Sequence, residues 1–118
     1  IIDTTVVSGH GKSDTENFTS TDKLYLLAPK EVYTDWSNNY DTAKDLTRAL
    51  DYYKNLGVTT TNRTGAIKKN GTTASTWWLR AAYSYSTGTF TMVDASGFWP
   101  GHGNANLSNG VAPAFRLG

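Results

Sequence analysis

The chain has 118 residues, 38% of them hydrophobic and 13% aromatic, with a formal net charge of +1. That length suits one domain with its own core, and the balanced charge excludes the basic footprint of a nucleic-acid binder or a basic membrane patch. No apolar run approaches the roughly 20 residues of a spanning helix, and the absence of cysteine removes disulfides, thiolate metal sites and cysteine nucleophiles together. The first residues, Ile1-Ile2 without an initiator methionine, read as mid-sequence, so residues 1–118 are expected to be a single domain trimmed from a longer chain.

Residues 2–7 form a β-branched run and predict a strand. Residues 9–20 are polar and read as a loop; Gly11-Lys12-Ser13 within them lacks the glycine a phosphate-binding loop needs at position 6, where Val6 stands. Residues 23–27 (Lys-Leu-Tyr-Leu-Leu) predict a second strand. Pro29 suits the first turn of a helix, Glu31 suits the positive end of its dipole, and that helix would run to about Trp36. A second helix is predicted over 41–56, with Asp41 as N-cap, Leu46, Ala49, Leu50 and Tyr53 on one face, and Gly57 ending it. Residues 59–75 read as a connection whose clearest turn is Asn70-Gly71. The four Asn-x-Ser/Thr triplets, at Asn17, Asn62, Asn70 and Asn106, read as chance matches in a chain rich in threonine and asparagine.

Two segments organise the rest. Residues 76–82 read as a strand with Trp77, Leu79 and Ala81 on one face and Trp78 and Arg80 on the other. Adjacent tryptophans demand cover on both faces, which makes this strand central. Residues 110–118 read as its counterpart, with Val111, Pro113, Phe115 and Leu117 sharing a face. Trp77 and/or Trp78, with Leu79, Val111 and Phe115, are expected in the core, so that Phe115→Ala would cost about 3–5 kcal/mol. Arg80 and Arg116 are expected to be structural, paired with aspartates or backbone carbonyls. Between the two segments, Phe90 to Val93 and Phe98-Trp99 flank Asp94-Ala95-Ser96-Gly97, a hairpin with a type I turn and a left-handed Gly97. Residues 100–109 read as a loop.

From Ala81 to Phe115 the only charged residue is Asp94, although the chain carries 11 basic and 10 acidic residues. The region is filled instead by tyrosine, serine, threonine, glycine, asparagine, phenylalanine and tryptophan, the composition of a binding surface built from rigid aromatic anchors and adaptable polar groups. Its candidate ligand-binding residues are Tyr83, Tyr85, Thr87, Thr89, Phe98, Trp99, His102, Asn104, Asn106 and Asn109; ordinary loop composition is the competing reading. His102, between two glycines with Asp94 in the same region, admits a hydrolase reading, but no nucleophile elbow accompanies it, and a surface histidine in a glycine loop is the better account.

The strings "WWLRAA" at 77–82, "V-x-x-x-G" at Val93 to Gly97 and "GVAPAFRL" at 110–117 resemble the C-terminal half of bacterial C-type-lectin-like domains. They resemble in particular a domain of unknown function from gut bacteria and their phages with "WWLRS…GVRPAF" signatures, whose "DKIFLLS" before a short helix is similar to "DKLYLLAP" here. The chain is also similar to the variable proteins of diversity-generating retroelements. The resemblance implies an α+β, C-type-lectin-like fold: two helices around a small twisted antiparallel sheet, with a loop-rich C-terminal half. It implies a non-enzymatic receptor or adhesion module on a phage virion or bacterial cell surface, facing a protein or glycan; the alternative is a structural domain of such a protein with no ligand of its own. Retroelement mutagenesis acts at adenines, and asparagine codons changed in this way do not yield lysine, glutamate or glutamine, all absent from 81–115. The calcium-dependent sugar site of lectins, marked by Glu-Pro-Asn or Gln-Pro-Asp with Trp-Asn-Asp, has no match, and one carboxylate is too few for a hard cation. No metal, no cofactor and no catalytic centre are expected. Formylglycine-generating enzymes, more distant relatives, need active-site cysteines that this chain lacks.

Overall fold

The computed structural model describes residues 2–4, 18–36, 49–82, 88–98 and 101–115, with the side chains of all but 2–4, 18–20 and 101–102. Strand β1 (Ile2–Thr4) pairs antiparallel with β2 (Phe18–Ser20), Asp3 opposite Thr19. The second of these falls in the segment expected to be loop; an aromatic and a threonine supply the local β preference. Residues 5–7 lie outside the described residues.

The expected strand at 23–27 is not one. Tyr25 alone pairs, exchanging two backbone hydrogen bonds with Ala114 (3.0 and 2.8 Å), while the Leu27 carbonyl accepts from the Arg80 N–H at 2.9 Å. Its backbone bonds go to two different segments, so no continuous ladder forms.

Helix α1 (Pro29–Val32) starts at proline as expected. Glu31 Oε2 accepts the Ala28 N–H at 2.8 Å, closing the first turn. The helix ends four residues earlier than expected. Tyr33 is extended, because its hydroxyl donates to the Gly97 carbonyl at 2.6 Å and the next residue, Thr34, bonds Val58. Helix α2 (Asp51–Asn55) is likewise shorter than the expected 41–56. Leu50 has extended geometry and its N–H donates to the Glu31 carbonyl at 3.0 Å, so the helix begins only at Asp51; Asp41 and Leu46 lie outside the described residues. Gly57 follows its C-cap at φ +68°, as a helix-ending glycine should.

A 3-10 turn (Thr64–Ala66) leads into a hairpin of β3 (Lys68–Asn70) and β4 (Thr73–Ser75). Asn70 pairs with Thr73, so the two-residue loop is Gly71-Thr72, one residue later than expected. Gly71 has φ +66°, the sign a type II′ turn demands of its first central residue.

The largest sheet is β5 (Trp77–Ala82), β6 (Thr89–Val93) and β7 (Gly101–Asn104), all antiparallel, with β6 in the middle. Strand β5 is thus at one side of the ladder, yet its outer edge is covered. Trp78 N–H donates to the Gly110 carbonyl (3.0 Å), Gly110 N–H to Thr76 (2.8 Å), and Arg80 N–H to Leu27. Trp77 and Leu79 point inward and join Val32, Tyr33, Trp36, Tyr53, Val58 and Val93 in one core. The Trp77 indole Nε1–H donates to the Ala66 carbonyl at 3.1 Å.

One core assignment is reversed. Val111 is 67% exposed and Phe115 63%, whereas Ala112 and Ala114 pack against the core. Alternation holds, but the Tyr25–Ala114 and Trp77–Gly110 bridges fix the parity and turn the alanines inward. Taken over the described residues, the architecture is α+β: two short helices with small antiparallel sheets.

Candidate functional site

The β6–β7 ladder sets the geometry of the candidate region. Thr89 pairs with Asn104, Phe90 with Gly103, Thr91 with His102 and Met92 with Gly101. Residues 101–104 were expected to be loop. As a strand they hold the candidate residues apart, with Phe98 beyond one end of β6 and Asn104 opposite the other, so the length of β6, about 13 Å at strand rise, lies between them.

At the first end, Asp94 organises the turn. Its Oδ1 accepts from the Ser96 hydroxyl (2.7 Å), the Ser96 N–H (2.8 Å) and the Phe98 N–H (2.9 Å). Partial burial pushes its carboxyl up, but the Ser96 hydroxyl, the two N–H donors and the Arg63 charge outweigh that and hold it below the ordinary carboxylate range. Gly97 is left-handed at φ +80°, as the sequence indicated. A Cβ there would also sit 2.3 Å from the Arg63 carbonyl oxygen. Phe98 is partly exposed under the Arg63 guanidinium, 4.5 Å from the ring centroid, a cation–π contact.

At the second end, the chain enters β6 at Gly88, whose carbonyl accepts the Ala105 N–H at 2.9 Å. Asn104 and Asn106 are exposed there, while Thr89 is buried at 8% and presents little surface to a ligand. His102 is placed by its backbone on β7. Asn109 is half-buried against Met92, Nδ2 to Sδ 3.6 Å. Tyr83, Tyr85, Thr87 and Trp99 lie outside the described residues, as does Arg116.

The outer face of the same sheet carries residues that sequence reasoning passed over. Trp78 and Met92 are directly opposite in register, with Phe90 two residues along, and all three are half-buried. A hollow of about 350 Å³ opens beside them, lined by Leu26, Trp78, Leu79, Arg80, Phe90 and Ala105. Asn104 and Asn106, both exposed, flank Ala105 in sequence. The signal that could have found it is the second face of the Trp77-Trp78 strand, which needed a partner as much as the first. Below the hollow, Arg80 is fixed by the core: Nη1 lies 2.5 Å from Glu31 Oε2 and 3.0 Å from the Leu26 carbonyl, with the Tyr25 ring 5.8 Å away. The structural role expected for Arg80 is met by a glutamate and a carbonyl.

Among the described residues no three histidine, cysteine, aspartate or glutamate side chains converge as a metal site. No helix among them is long and apolar enough to cross a membrane. The family profile described as "Domain of unknown function (DUF6273)" matches residues 1–118. The chain belongs to the DUF6273 family. For this DUF6273 domain no curated protein and no solved structure is a match.

Proposed function

We propose that the chain is a non-enzymatic ligand-binding module of C-type-lectin-like fold, displayed on a phage virion or bacterial cell surface and directed at a protein or glycan. The observation that carries this reading is the hollow walled by Trp78 and Phe90 and reached by Ala105, whose sequence neighbours Asn104 and Asn106 are exposed. Aromatic walls supply contact area with few rotatable bonds to order, and amides supply adjustable hydrogen bonds. The low charge of 81–115 avoids desolvating unpaired ions on binding. Tyr83, Tyr85, Thr87, Trp99 and His102 belong to the same proposed surface through sequence, and Phe98 forms a separate contact at the hairpin end. A diversified region remains part of the proposal: a near-copy of 81–115 beside a reverse transcriptase gene, differing only at adenines, would support it.

The test is an array of surface glycans and bacterial envelope proteins probed with the domain and with Asn106→Arg. Binding to a discrete set of targets that the arginine abolishes is the expected result. No retained target, or the same targets with the arginine present, would return the domain to a purely structural role.

A further inference from the structure

A second concavity, of about 730 Å³, lies between the β3–β4 hairpin and residues 108–112. It shares no lining residue with the aromatic hollow, and its chemistry is different. Lys68, Thr76, Trp77, Ser108 and Asn109 are among the residues that line it. None of the described lining residues carries a carboxylate. Lys68 is half-buried, its Nζ 5.0 Å from the Trp77 ring and 5.8 Å from that of Tyr53. Burial draws its pKa below the ordinary lysine value, the mark of an ammonium that has lost hydration and gained aromatic faces in exchange.

We infer that this groove binds the carboxylate of an acidic sugar, with Lys68 holding the anion and Thr76, Ser108 and Asn109 meeting ring hydroxyls. A partly dehydrated cation gives more to an incoming carboxylate than a fully hydrated one, because less water must be displaced from it. Hydroxyl and amide side chains in the lining pair with a polyhydroxylated ring, and the volume is that of a small-ligand site. The inference stands apart from the aromatic hollow, and only Asn109 is shared with the sequence-based candidate set.

The test is titration of the ¹⁵N-labelled domain with a glucuronate disaccharide and with sialyl-lactose, using lactose as the neutral control and hexaglutamate as the acidic peptide. At least one acidic sugar should shift the resonances of Lys68, Ser108 and Asn109, while lactose at the same concentration does not. Ser108→Ala, at an exposed lining position, should weaken binding about two- to fivefold. Lys68→Met, which keeps the apolar stem over the rings, should weaken it roughly tenfold or more. If Lys68→Met lowers the melting temperature, Ser108→Ala decides alone. Equal shifts with lactose, tighter binding of hexaglutamate, shifts confined to Trp78, Phe90, Asn104 and Asn106, or affinities unchanged in Ser108→Ala would each overturn the inference. The location of the shifts separates its failure from that of the aromatic hollow.

Discussion

Gly97 shows how much one residue can carry. Its left-handed backbone lets the hairpin reverse, its missing side chain admits the Arg63 carbonyl, and its own carbonyl receives the Tyr33 hydroxyl. Gly97→Ala should therefore lose about 2–3 kcal/mol in denaturant unfolding, from backbone strain and the clash together. The turn that needs a left-handed glycine was legible in the sequence; the close approach of Arg63 was not, because nothing local reports a neighbour 34 positions away. Asp94 in the same turn makes a pH-dependent contribution. Its folded-state carboxyl titrates below its ordinary value near 3.8, so its contribution is fully present above that value and fades as pH falls through the lower, folded one. Asp94→Ala should cost about 1–2 kcal/mol at neutral pH through lost hydrogen bonds. Asp94→Asn, which keeps an acceptor oxygen, should cost less and flatten the acid limb of stability against pH.

At the scale of elements, α1 is tied to β5 by one buried pair. Glu31 caps its own helix through the Ala28 N–H and neutralises Arg80 across the core. Glu31→Ala strands a buried guanidinium and should cost about 3–5 kcal/mol in thermal or chemical unfolding. The sequence placed Glu31 near the helix start and made Arg80 structural, but the pairing spans 49 positions and has no local signature. The terminal segment teaches a different lesson. Its alternation was readable, and the larger apolar residues Val111 and Phe115 were the natural choice for the core. What decides the parity is the backbone bridging at Gly110 and Ala114, which leaves the inward side to alanines. Phe115→Ala is accordingly expected to change stability by no more than about 0.5 kcal/mol. Strand β7, Gly-His-Gly-Asn, has almost no β preference of its own. It forms because the hairpin aims it back along β6 and because Gly103 leaves room for Trp78, Met92 and Leu107, each within 3.2 Å of where a Cβ would be.

For the whole molecule, the account separates what holds the fold from what meets a partner. Trp77, Tyr33, Tyr53 and the Glu31–Arg80 pair lie inside; Asn104 and Asn106 lie outside, on a turn whose backbone is already bonded to Gly88 and Asn104. The low charge and aromatic content of the C-terminal half were legible in the sequence, and the proposed binding surface rests on them. Which of its residues share a surface depends on the β6–β7 register, which composition does not encode. The most direct measurement is affinity and melting temperature, taken together, for Asn104→Ala, Asn104→Arg, Asn106→Ala and Asn106→Arg against a ligand captured on the array. The account predicts small affinity losses for the alanines, losses of about 2 kcal/mol or more for the arginines that obstruct the hollow, and melting temperatures within about 2 °C of the parent for all four. Unchanged affinity in both arginine variants, or unfolding caused by the alanines, would contradict it.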